Sequence, residues 1–151
     1  MKSIVFTFYC TVLLLFSIEE SANAQSQTGV YGIVVFKSGN QMPSPDIPKE
    51  QRGGKAVRRS IYIYELTNVN ETKAEGVFYS ELKTKLIKQV KSDKNGRFSA
   101  KLKPGKYSVF VKEEKGLFAN MSDGDQNICP IIVKNGQMTE LNLVIDYNAA
   151  Y

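Results

Sequence analysis

The sequence predicts an all-β sandwich of about seven strands, and three observations carry that expectation. Short segments rich in Val, Ile, Tyr and Phe alternate apolar and polar side chains with a period of two. Turn signals recur between them, at Asp93-Lys94-Asn95-Gly96, Pro104-Gly105 and Asn135-Gly136. The spacing of these short runs is that of a sandwich rather than of alternating strands and helices.

The chain is 151 residues long, and residues 1–24 read as a secretory signal peptide. Lys2 supplies a positive start, Ile4 to Ile18 an apolar stretch, and Ala22-Asn23-Ala24 a small-x-small cleavage site. The stretch is too short to serve as a spanning helix. Cleavage after Ala24 leaves 127 residues, 25–151, with no transmembrane segment. That is one domain, long enough to bury about two-thirds of its surface. The expected location is periplasmic or secreted.

The first expected strand is Thr28 to Phe36, apolar on both faces and therefore covered on both. Gly32 inside it marks a bulge or a close approach. Residues 38–55 form a long loop with Pro43, Pro45, Pro48 and the pair Gly53-Gly54. Arg58 to Glu65 is the cleanest alternating strand: Ile61 and Ile63 point one way, and Arg58, Ser60, Tyr62 and Tyr64 the other. Residues 67–76 are a polar loop. The stretch from Val77 to Ser92 admits two readings. Leu82, Leu86 and Val90, with Ser80 as N-cap, fit a basic helix, whereas the turn that follows favours a strand over Lys85 to Lys91. That strand is expected to pair, across Asn95-Gly96, with the alternating run Phe98, Ala100, Leu102. Tyr107, Val109 and Val111 share one face of the next strand, with Phe110 opposite. Residues 115–127 form a loop. Ile131 to Val133 and Leu141 to about Tyr147 complete the series as the last of a chain of hairpins.

Composition excludes several chemistries. There is no His, so Ser-His-Asp and Cys-His catalysis and His metal ligation are absent. Cys10 lies in the leader, which leaves Cys129 alone, with no intramolecular disulfide and the character of a small buried hydrophobe. The formal charge of +5, or +6 after cleavage, is carried mostly by Lys and reads as solvated strand faces. An exported chain rarely meets nucleic acid, so no nucleic-acid partner is expected. Glu65, Glu81, Glu113, Glu114, Asp123 and Asp125 are the carboxylates open to acid/base work, but no spacing forces two of them together. No catalytic residue and no cofactor is expected.

The run Val90-Lys91-Ser92-Asp93-Lys94-Asn95-Gly96-Arg97-Phe98, followed by Leu102-Lys103-Pro104-Gly105-Lys106-Tyr107-Ser108-Val109, has a distinctive pattern. It resembles the T/S-D-x-x-G-x-F … L-x-P-G-x-Y-x-V core of carboxypeptidase regulatory-like domains, in the transthyretin-like (prealbumin-like) group. Gly29-Val30-Tyr31-Gly32-Ile33-Val34 is similar to that family's first strand. The resemblance implies a single Greek-key β-sandwich over most of residues 28–147. It also implies a non-catalytic binding or scaffolding role in a stand-alone secreted bacterial form. It names no ligand, since that fold serves many tasks. The expected partner is an envelope protein or a glycan. A glycan-binding module is the alternative reading, and an adhesin or pilus-type subunit the third.

Two candidate sites follow from the residues. Arg58, Tyr62 and Tyr64 lie on the strand side opposite Ile61 and Ile63, where two rings could stack on a sugar and Arg58 could hold a carboxylate. The bland alternative is that loops such as Ser38 to Lys55 cover these rings, and Phe110, as a second small core. Asp123, Asp125 and Asn127 have the D-x-D-x-N opening of a calcium loop, but Ile128 and Lys134 stand where such a loop needs Gly and Glu, so metal is not expected beyond this weak candidate.

Overall fold

The computed structural model describes residues 27–42 and 53–151. The signal peptide and the proline-rich part of the 38–55 loop lie outside the described residues. The strands are β1 (Gly29–Asn40), β2 (Lys55–Ala56), β3 (Ser60–Glu65), β4 (Lys73–Glu75), β5 (Phe78–Ser80), β6 (Leu86–Lys91), β7 (Arg97–Lys101), β8 (Gly105–Glu113), β9 (Gly116–Phe118), β10 (Pro130–Val133), β11 (Met138–Glu140) and β12 (Leu143–Ala150). β1, β3, β6, β7, β8, β10 and β12 correspond to the seven expected strands. The other five are only two or three residues long, too short for alternation to register. The stretch Leu86–Lys91 is a strand, not the end of a helix. Among the described residues no helix is long and apolar enough to cross a membrane.

The strands form two sheets. In the first, β1 is central. Its first half lies between antiparallel β7 and parallel β11, and its second half between antiparallel β2 and parallel β12. The second sheet runs β4-β5-β9-β8-β3-β6, with β10 added to the start of β8. The two sheets share one core, with Val30, Val34, Phe98, Ala100, Leu143 and Ile145 from the first and Ile61, Ile63, Tyr107, Val109 and Val111 from the second. Gly32 is the close approach that the sequence suggests: a Cβ there would lie 1.8 Å from the Leu141 carbonyl oxygen. It sits where the partner along β1 changes from β11 to β12, and Leu141 donates its N–H to Tyr31 at 2.8 Å.

The expected chain of hairpins is corrected. β6 pairs with β3, and β7 with β1, so the Asp93–Gly96 turn carries the chain from one sheet to the other. The turns at Pro104-Gly105 and Asn135-Gly136 also cross between sheets, since β8 and β10 belong to the second sheet and β7 and β11 to the first. The physical reason lies in the apolar faces: Val90 of β6 and Phe98 of β7 turn to the shared core from opposite layers instead of side by side. Turn chemistry is local and fits either geometry. A tight hairpin does occur at Glu114-Lys115, where β8 meets β9 and Gly116 has φ 141°.

Candidate functional site

The crossing from β6 to β7 builds the first polar site. Ser92 is buried, and its hydroxyl accepts the Arg59 N–H at 2.8 Å and approaches the Val57 carbonyl at 3.0 Å. Asp93 Oδ1 accepts the N–H groups of Asn95 and Arg97, both at 2.8 Å. Gly96 adopts φ 73° and passes its carbonyl to the Val34 N–H, so the turn is pinned to β1. These bonds fix three chain segments around an open cleft of about 590 Å³, lined by Arg58, Lys91, Ser92, Asp93, Arg97, Phe98 and Ser99. Arg58, Lys91 and Arg97 come from the β2–β3 link, β6 and β7. Among the described residues, ion pairs form only at Arg59–Glu113 and Lys73–Glu81, so none of these three cations is paired with an acid.

The second polar site lines another cleft, of about 500 Å³, formed by Arg59, Lys112, Glu113, Glu114 and Tyr147. Glu113 is only 7 % exposed. It accepts Arg59 Nε at 2.6 Å on one oxygen and the Tyr147 hydroxyl at 2.9 Å on the other. The Tyr147 ring packs against Phe36, Phe78 and Phe118 at centroid distances of 5.8, 5.0 and 5.7 Å, and the Arg59 guanidinium lies 5.9 Å over the Phe36 ring. Burial, and then the hydrogen bond to Glu113, push the Tyr147 hydroxyl above its usual pKa. Both carboxylate oxygens are thus engaged: the bond to Tyr147 of β12 joins the two sheets, and the bond to Arg59 ties the link into β3 to β8 within the second. The sequence does carry a signal for this trio. Glu113 has the same strand parity as Tyr107, Val109 and Val111, and Tyr147 the same parity as Leu143 and Ile145. An acid in step with core positions marks a buried acid that needs a partner.

The candidate face of Arg58, Tyr62 and Tyr64 divides. Tyr62 and Tyr64 are half-buried. Tyr64 meets Phe110 edge-on at 5.7 Å, Tyr79 meets the same ring at 5.7 Å, and Phe110 is 0 % exposed. Cys129 and Ile128 are buried nearby, with the Cys129 carbonyl accepting the Val109 N–H. This is a second small core on the outer side of β8, and its cover comes from β5 and the connection that ends at Cys129. Burial pushes the Cys129 thiol up to about 12 and raises Tyr64 and Tyr79 above their ordinary range. Arg58 stands apart from these rings, in the cleft with Lys91 and Arg97.

Asp123, Asp125 and Asn127 form a polar turn. Asp123 accepts the N–H groups of Asp125 and Asn127 on Oδ1 and the Asn127 side chain on Oδ2, and these bonds, the Asn127 side chain foremost, hold its carboxyl below the usual range. Asn68 ties the turn down by donating to the Asp125 carbonyl at 2.7 Å. Among the described residues no three acidic, Cys or His side chains gather in a way that could hold a metal ion. No family model, curated protein or solved structure matches this chain.

Proposed function

We propose that the chain is an exported, non-catalytic module, of the transthyretin-like Greek-key kind that carboxypeptidase regulatory-like domains adopt, and that it binds or scaffolds a component of the bacterial cell envelope. One observation carries this reading: the buried polar groups hold one another, while Arg58, Lys91 and Arg97, which have no acidic partner among the described residues, line an open cleft on a rigid frame. Glu113, Arg59 and Tyr147 form a closed set, as do Thr67, Thr84 and Ser108, where Ser108 Oγ accepts the Thr67 N–H at 2.9 Å. Cys129 is buried and held as the thiol, a poor nucleophile. A module built this way presents a surface instead of turning over a substrate.

The test is twofold. The exported chain should be recovered outside the cytoplasm with Gln25 as its first residue. It should also co-sediment with purified envelope material while leaving ester, peptide and glycoside substrates intact. Retention of Met1 in the cytoplasm, or turnover of any of those substrates, would overturn the reading. A glycan ligand is the form of binding that the open cleft favours, because Arg58 meets two further cations there.

A further inference from the structure

We infer that the cleft between Arg58, Lys91 and Arg97 is a binding site for an anionic glycan, one that bears uronate or sulfate groups; this rests on the binding role proposed above. Three features point to it. The first is charge. Residues 82–112 contain ten Lys and Arg but a single acid, Asp93, although the whole chain is only +5. The sequence places these lysines along several strands. The fold sets Lys88 and Lys91 on β6 beside Arg97 and Lys101 on β7, with Arg58 next to Lys91 and Arg97 in the cleft. Several positive charges held this close together attract a polymer with repeated charges more than they do a single ion.

The second feature is rigidity. The Ser92 and Asp93 side chains lock the three cation-bearing segments in place before any ligand arrives, which lowers the ordering cost of binding. Arg supplies paired N–H donors for carboxylate or sulfate oxygens, and Lys91 a point charge beside them. The Ser99 hydroxyl in the same cleft suits a sugar hydroxyl.

The third feature separates a glycan from an acidic peptide. A peptide would be recognised most readily by adding a strand to the free edge of β6 or β7. The seam between those edges is bridged: Lys88 Nζ donates to the Lys101 carbonyl at 3.0 Å. A lysine laid over an edge in this way discourages strand addition. What stays open at the cleft is side-chain chemistry.

Titration calorimetry of the purified chain tests this with four defined probes: a heparin-derived sulfated oligosaccharide, an oligogalacturonate, neutral dextran and poly-glutamate. Binding is expected to one or both anionic glycans, weakening as salt is raised, with none to dextran. Whichever of the two binds more tightly identifies sulfate or carboxylate as the preferred group. The variant Arg58→Ala/Lys91→Ala/Arg97→Ala should bind about tenfold or more weakly, since each lost charge contact is worth several-fold. A Lys73→Ala/Lys134→Ala control should bind as the parent does, with both variants melting as the parent does. Equal binding by the triple variant, tighter binding of poly-glutamate than of either glycan, or binding to none of the probes would overturn the assignment. If the triple variant still co-sediments with envelope material as the parent does, the binding role survives and the cleft does not.

Discussion

Arg58 and Arg59 are adjacent in the chain and meet opposite fates. Arg59 turns to the interior, where it pairs with Glu113 and lies over Phe36. Arg58 lines the open cleft with Lys91 and Arg97. Period two along an extended chain sends neighbouring side chains to opposite sides, and the surroundings decide what each side does. On the inner side, a buried acid makes the guanidinium part of the fold. On the outer side no acid among the described residues pairs with it, so its charge is available to a partner. The contrast teaches that residue type alone assigns neither role; strand parity and the partner do.

The contrast can be broken most forcefully at the frame both arginines share. Phe98 is buried under the cleft, and Phe98→Ala should cost about 3–5 kcal/mol in denaturant unfolding. A cost below about 1 kcal/mol would show that the crossing from β6 to β7 is not anchored as described. Next in size is Glu113→Ala, which leaves Arg59 and the Tyr147 hydroxyl without their acceptor. Because Arg59 keeps a third of its side chain exposed, the expected loss is about 2–3 kcal/mol, at the low end for a broken buried pair. An unchanged unfolding free energy would remove the inner half of the contrast.

A smaller effect concerns pH. Cys129 has its folded pKa raised, to about 12, so the folded state holds that proton more tightly than the unfolded chain does. Its contribution to stability is therefore complete below about pH 9, the ordinary thiol value, and declines as pH rises from there towards 12. Tyr64, Tyr79 and Tyr147 are shifted in the same direction and add to the alkaline loss. Unfolding titrations from pH 7 to 11 should show a falling midpoint above about pH 9, and iodoacetamide at pH 8 should label Cys129 only when denaturant is present. Rapid labelling of the native chain would place Cys129 at the surface.

Much of the fold was legible in the residues. Alternation, together with the two-faced apolar run of β1 and the turn signal after β6, located all seven longer strands, and Gly32 signalled the tight contact with Leu141. Pairing was not legible, because Asn95-Gly96 and Asn135-Gly136 make a turn without saying whether the two flanking strands join one sheet or two. The long-range partners β3 for β6 and β1 for β7 are set by which apolar faces meet across the core, and that information is spread over the whole chain. The candidate site was half legible. Arg58 was found by its parity with Tyr62 and Tyr64, although β3 itself begins only at Ser60. Lys91 and Arg97 were hidden among many lysines until the crossing gathered them beside it. Tyr64 looked open because the ring it packs on, Phe110, joins it only through the long-range pairing of β3 with β8. Glu113 was readable from its parity but has Glu114 beside it, and only one of two adjacent acids can face inward.

The division between the two arginines is tested most directly by melting Arg58→Ala and Arg59→Ala side by side at neutral pH. Arg59→Ala strands the buried Glu113 carboxylate and should lower the midpoint by about 8 °C, from a loss of about 2 kcal/mol in a domain of this size. Arg58→Ala removes a surface cation and should leave the midpoint within about 2 °C of the parent. Equal shifts, or a larger loss at Arg58, would contradict the account.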